Sequence, residues 1–325
     1  MNQKQLPKPK WEEMQRDVLM RIFSTFSLMD LALTVSSVCK SWRPVCYEPS
    51  IWKSLDLTEM DKFFRNPFIP NAWSDHKSSE RFWRILKYFV NLSNGNLSTM
   101  VFHLFINIGD SHLAYTSRRT PKLKKLVLPR WSRLTEEGYF RAFKVWKGVE
   151  SLVLPGCNIS PYTMIKLIGK NLKNLSNLKI VFDYFDKSCA TAILRFLPKL
   201  KALSLKGSVV ERKAVEMILD NLNNLEELNL SHCFIDVTRY YPQYLHIMDP
   251  IYKTITRKAS RLKKFYVCRR YNCVMCRCEY YYPLPHWALL RCIGHTSVVL
   301  AEVWVIWDVL AWDKVTPQPV LDHSD

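Results

Sequence analysis

The chain has 325 residues, enough for about two domains of ordinary size, and its 48% apolar and 13% aromatic content excludes wholesale disorder. Forty-seven Lys and Arg against 29 Asp and Glu leave a formal charge of +18, which favours acidic partners: protein segments, nucleic acid or an anionic surface. Eight glycines in the whole chain argue against a Gly-rich phosphate-binding fold.

Residues 1–10 form a basic tail, and residues 1–13 have no apolar stretch behind their charges, so no secretory signal is read. The expected setting is a reducing intracellular compartment, cytoplasmic or nuclear, where the ten cysteines are thiols or metal ligands. The longest apolar run, residues 297–312, is interrupted by Glu302 and Asp308 and is too short and polar to span a membrane.

Residues 14–26 place Val18, Leu19, Ile22, Phe23 and Phe26 on one helical stripe. A second helix starts at Ser27 as N-cap, with Asp30 three residues on and Leu28, Leu31, Ala32 and Val35 in helical register. A third holds Val38, Cys39 and Trp42, and Pro44 is expected to cut it short. Three short helices make a module near the lower limit of independent stability, one that gains by docking on a partner or on the rest of the chain.

In order along the chain, Trp11, Asp17-Val18-Leu19, Ile22-Phe23, Ser27-Leu28 and the segment VCKSWR from Val38 resemble an F-box. The segment IWKSLDL from Ile51 resembles the joint between F-boxes and leucine-rich repeats. The likeness covers residues 11–57 and is nearest to plant members; it departs from the usual Leu-Pro opening, which here is Met14-Gln15. It implies docking on a Skp-type adaptor and, through it, on a cullin–RING ligase. The residues it implies for that face or its support are Met14, Val18, Leu19, Ile22, Phe23, Val38, Cys39 and Trp42.

Residues 58–96 read as a linker with a first, irregular repeat. From Leu97 the pattern apolar-x-x-apolar-x-apolar recurs at Leu123, Val149, Leu175, Leu200, Leu225 and Leu262, at spacings of 26, 26, 26, 25, 25 and 37 residues. The last spacing implies an insertion of about 11 residues, for which the Tyr-rich stretch 239–250 is the source. Alternation within a strand turns Leu126 and Leu128 inward and Val127 and Pro129 outward. Between strands, Met164, Ile165, Leu167, Ile168 and Leu172 share a helical stripe opened by Ser160 and Pro161. Val210, Ala214, Val215, Ile218, Leu219 and Leu222 share another. A unit this small cannot bury its apolar face alone, so neighbours stack into a curved parallel sheet with outer helices, an α/β solenoid over residues 97–268.

The period is similar to that of leucine-rich repeats, and Cys157 and Cys233, each following a strand, resemble the cysteine-containing subclass; both are read as buried thiols. F-box and repeats together imply the substrate-recognition subunit of a ubiquitin ligase, itself non-catalytic and needing no cofactor. The rival expectation is a leucine-rich-repeat scaffold whose N-terminal helices only cap the stack.

The outward strand positions Lys125, Lys179, Lys206, Lys264 and Tyr266 are the candidate substrate surface, a ladder of lysines suited to an acidic or phosphorylated peptide. No zinc-finger spacing, RRM-like signature or helix-turn-helix pattern supports nucleic acid as the partner. Cys268, Cys273, Cys276 and Cys278, with His286, Cys292 and His295 nearby, form a crowded cluster for which free thiols are preferred over zinc. Eight scattered histidines and the lack of HExxH or Walker A patterns give no catalytic constellation. Residues 269–325 are rich in Cys, Tyr and Trp and are read as a cap on the last repeat or a tail.

Overall fold

The computed structural model describes residues 11–58, 76–103, 106–130, 132–156, 158–235 and 248–267. The N-terminal module contains α1 (Arg16–Phe23), a wide helical turn (Asp30–Thr34) running into a tight one (Val35–Ser37), and α2 (Trp42–Cys46). Ser27 caps the second segment as its sequence requires: its hydroxyl accepts from the Asp30 N–H at 3.1 Å and donates to the Asp30 carboxylate at 2.7 Å. Pro44 does not stop the third helix. It sits in the first turn of α2, where the N–H it lacks would have no intrahelical partner, and the helix runs on to Cys46.

The chain then enters the sheet with no intervening domain boundary. The elements are β1 (Ser54–Asp56), α3 (His76–Leu92), β2 (Thr99–Val101), β3 (Ile108–Gly109), α4 (Asp110–Arg119), β4 (Lys125–Val127), β5 (Ser132–Arg133), α5 (Glu136–Val145), β6 (Ser151–Leu154) and α6 (Pro161–Asn171). They continue as β7 (Asn177–Ile180), α7 (Lys187–Phe196), β8 (Ala202–Ser204), β9 (Val209–Val210), α8 (Arg212–Asn221), β10 (Glu227–Leu230), β11 (Phe234–Ile235), α9 (Met248–Ala259) and β12 (Lys264–Val267). Eight strands form one sheet in the order β1-β2-β4-β6-β7-β8-β10-β12, every neighbouring pair parallel. β3 pairs with β5, and β9 with β11, in two short ladders between the strands and their helices.

The repeat period is visible in the backbone bonds. The carbonyl just ahead of each strand accepts from two N–H groups of the next repeat: Ser98 from Lys124 and Lys125, Lys124 from Glu150 and Ser151, Glu150 from Ser176 and Asn177. Helix starts are closed by side chains, with Thr135, Ser160 and Asp186 accepting from the N–H three residues on. The Ser160-Pro161 start is where the sequence puts it. Val210, by contrast, belongs to β9, and α8 begins after it. Helices pack in sequence order, α4 on α5 through to α8 on α9. α6 and α7 meet closely at Gly169, where an added Cβ would lie 2.4 Å from the Phe196 carbonyl oxygen.

The opening residues of the regular units, Leu97, Leu123, Val149, Leu175, Leu200 and Leu225, are all buried, as are Leu126 and Leu128. One continuous core runs from Leu19 in α1 to Ala259 in α9. At the last repeat, Leu262 and Phe265 are only partly covered. The stretch 239–247 lies outside the described residues, while 248–250 open α9. Among the described residues, no helix is long and apolar enough to cross a membrane.

Candidate functional site: an apolar face on the N-terminal helices

The stripe on α1 is wider than one contact row, and the fold divides it. Residues four apart stack above one another, and residues one apart are turned by about 100°. Leu19 and Phe23 form the inward row, 2% and 0% exposed. Val18 and Ile22 form the outward row, continued by Phe26 one turn further, at 42%, 38% and 42% exposed. Leu33 and Val38 are each 58% exposed, and Trp11 is exposed beside them in sequence order. Seven of the twelve large apolar side chains exposed among the described residues fall between residues 11 and 47. Single exposed apolar side chains are ordinary, but a concentration of them in one small module marks an interaction surface.

The inward row makes a closed core with Leu31, Val35, Val45 and Cys46, and the Phe23 ring meets Trp42 edge-on at 5.3 Å. Trp42 is half-buried, and its indole N–H donates to the Trp11 carbonyl at 3.0 Å, which holds the entering chain across the third helix. Met14 and Cys39 are also half-buried, the Cys39 sulfur 3.1 Å from the Ser41 hydroxyl. An Arg16–Glu48 ion pair ties the start of α1 to the residues after α2. Of the eight residues inferred for this face, Leu19 and Phe23 are buried beneath it, Val18, Ile22 and Val38 are exposed, and Met14, Cys39 and Trp42 are half-buried. Sequence reasoning left out Leu33. The signal was there: Leu33 is an apolar residue off the Leu28–Leu31–Ala32–Val35 stripe.

The face is mounted rigidly. Trp52 is buried, donates to the Cys46 carbonyl at 2.9 Å and packs with a tilt of 36° against Phe89 of α3, ring centres 5.5 Å apart. Tyr88 of the same helix bonds to Tyr47, and burial together with that bond pushes its phenol up to about 12. The Leu57 N–H donates to the Val101 carbonyl at 2.9 Å, extending the β1–β2 pairing.

The concave side of the sheet carries two outward rows. The first is Ser54, Thr99, Lys125, Ser151, Asn177, Ala202, Glu227 and Lys264; the second is Asp56, Val101, Val127, Val153, Lys179, Ser204, Asn229 and Tyr266. The expected lysine ladder is therefore not formed. Lys125 and Lys264 stand on the first row with four strands between them, Lys179 lies between Val153 and Ser204, and Lys206 falls beyond the end of β8. The period holds the leucines in register because they share one core; no such constraint acts on the outward positions. Lys179 and Lys206 are buried, whereas Lys264 is exposed and pairs with Glu227 on the neighbouring strand at 3.5 Å.

Cys233 is buried, its thiol 2.9 Å from the Leu205 carbonyl oxygen. Cys157 and the cluster of Cys268, Cys273, Cys276, Cys278, His286, Cys292 and His295 lie outside the described residues, among which no group of three or more His, Cys, Asp or Glu could hold a metal.

A small helical module with an outward apolar row, fused through its last residues to a parallel-strand solenoid, defines an F-box joined to leucine-rich repeats. The F-box-like family model matches residues 16–58. F-box/LRR-repeat protein At3g48880 of Arabidopsis thaliana is 39% identical over 271 residues, covering 82% of this chain and 87% of its own length. The chain belongs to the F-box/LRR-repeat protein family. Also similar are two further Arabidopsis proteins. Putative F-box protein At4g11580 is 26% identical, covering 91% of this chain and 93% of its own; F-box protein SKIP19 is 28% identical, covering 69% and 70%.

Proposed function

We propose that this chain is the substrate-recognition subunit of a Skp–cullin–F-box ubiquitin ligase, non-catalytic itself. The observation that carries the reading is the outward row Val18–Ile22–Phe26, with Leu33 and Val38, left exposed by a module whose own core is closed. Helices presenting an apolar row to a groove on another protein are a recurrent mode of association. The partner of that row is a Skp-type adaptor, and through it a cullin–RING ligase. The repeats hold the substrate, and the continuous core between module and sheet fixes its distance from the adaptor. Lys125, Lys264 and Tyr266 form the accessible part of the substrate surface, suited to an acidic or phosphorylated segment, with Lys179 and Lys206 behind it.

Co-expression of the full chain with a Skp-type adaptor tests the reading. A complex that co-elutes in size-exclusion chromatography is expected. Separate elution of two folded proteins would leave the scaffold alternative, in which the helices only close the first repeat.

A further inference from the structure

On the helical side of the sheet, α3 and α4 meet along two ridges, Trp83–Lys87–Asn91 on the first and His112–Tyr115–Arg119 on the second, each spaced three or four residues apart. The Trp83 ring lies edge-on to His112 at 4.7 Å and to Tyr115 at 5.0 Å, and the Lys87 ammonium sits 4.4 Å from the Trp83 ring centre. The Asn91 side-chain oxygen accepts from the Tyr115 hydroxyl at 3.0 Å and from the Arg119 guanidinium at 3.3 Å. Beside this seam runs a trough of about 530 Å³, lined by Trp83 and, on α4, by Ser111, Ala114, Tyr115, Arg118 and Arg119. A second recess of about 260 Å³ shares Ser111 and Ala114 and reaches Asp110, Glu137 and Arg141.

The two ends differ in how their charges are matched. At the α5 end, the Asp110 carboxylate accepts from the Thr135 N–H at 3.0 Å and from its hydroxyl at 2.6 Å, and Glu137 pairs with Arg141 at 2.6 Å. At the other end, Lys87 and Arg119 lie 5.9 Å and 5.6 Å from the centre of one Tyr115 ring, with Arg118 next to Arg119 in the last turn of α4. Among the described residues no carboxylate pairs with any of these three cations. The rings attract the cations but leave their net charge unmatched, and Lys87 is already half-buried. Gathered cations beside apolar surface gain from an acidic partner. A phosphodiester chain carries charge at every residue and would also run past Asp110 and Glu137. A peptide can gather carboxylates at one end and set an apolar side chain beside them.

We infer that this trough binds an acidic peptide segment of another protein, its carboxylates at Lys87, Arg118 and Arg119 and an apolar side chain against Ala114 and the Trp83–Tyr115 pair. The site lies across the sheet from the strand positions proposed for the substrate, so the chain can hold one partner on its helices and another on its strands.

The test uses the full chain and a random peptide library displayed on phage, with counter-selection against the triple variant K87E/R118E/R119E. Peptides rich in Asp and Glu around an apolar anchor are expected. In fluorescence anisotropy the triple variant should bind them about tenfold or more weakly, with its circular-dichroism spectrum unchanged. Changing the acids of a selected peptide to Lys should restore binding to the triple variant and abolish it for the parent. Ser111→Trp fills the trough without altering its charge and should weaken the same peptides by a similar factor, which keeps the test decisive if charge reversal unfolds the chain. Selection without acidic enrichment, or full affinity in either folded variant, would overturn the inference. So would a single-stranded oligonucleotide that binds the parent more tightly than any selected peptide and is lost in the triple variant. A parent that dimerises in sedimentation while the triple variant stays monomeric would assign the trough to a second copy and overturn it too. Neither adaptor nor substrate enters these measurements, so the ligase reading can stand when this one fails, and the reverse.

Discussion

The N-terminal helices and the repeats are built from the same kinds of apolar residue, and they spend them differently. In the repeats the opening residues from Leu97 to Leu225 all face the common core, because each of those units is covered on both sides by its neighbours. In the N-terminal module one row of α1 faces inward and the adjacent row faces out, at about two-fifths exposure. A module of some forty residues cannot close both rows over a single core. What distinguishes an interaction surface from a core, in this chain, is the number of neighbours available to cover a side chain, and hydrophobicity alone does not show it.

The comparison breaks first, and by the largest margin, at the core of the repeats. Trp146 is fully buried, and its indole N–H donates to both the carbonyl and the hydroxyl of Thr120, each at 3.0 Å. Trp146→Ala removes the ring and leaves the Thr120 groups without that donor. A loss of about 3–5 kcal/mol of unfolding free energy is expected in a denaturant titration. A loss under about 1 kcal/mol would mean that this repeat is not held by its core.

The outward row sharpens the comparison. Ile22→Asp and Val38→Asp would be ruinous if these positions were buried, as a single wide stripe suggests; both are exposed, and the charge stays in water. Each variant should therefore keep the stability of the parent to within about 0.5 kcal/mol. Affinity for a Skp-type adaptor should fall by about 2 kcal/mol or more, roughly thirtyfold, in a titration with the purified adaptor. Phe23→Ala is the contrasting control, since it empties the module's own core and lowers stability and affinity together. An Ile22→Asp protein that melts early but binds normally would reverse the assignment of the two rows.

How much of the molecule could be read from its sequence depends on the same physics. The repeat period was legible because one shared core constrains every unit-opening position, Leu97 through Leu225, alike. The division of α1 was not, because Val18 and Leu19 are equally apolar and differ only in what lies opposite them. Pro44 was misplaced as a stop because its effect depends on where the helix begins, and α2 begins at Trp42. The lysines were readable as outward-facing, while their rows required the register: Lys125 and Lys179 occupy different positions within their strands.

The smallest effect concerns how the helices of the two regions start. Gln15 opens α1 without a side-chain bond to the first turn, whereas Asp186 closes the first turn of α7 by accepting from the Cys189 N–H at 2.9 Å and from the Ser188 hydroxyl at 2.6 Å. Burial alone would raise the Asp186 carboxyl; the hydrogen bonds from Ser188 and Cys189 outweigh it and hold the group below its usual value. A carboxyl depressed in the folded state contributes stability above its unfolded pKa, near 3.9, and that contribution is lost as pH falls through the lower folded value. Asp186→Ala should cost about 1 kcal/mol at neutral pH. The gap between parent and variant should begin to narrow near pH 4, where the unfolded carboxyl protonates, and close as pH falls through the lower value of the folded carboxyl. Urea titrations at neutral and acid pH measure both quantities. A gap that stays constant with pH would show that the cap acts by shape and hydrogen bonding alone, leaving its charge with no part in how the repeat helix begins.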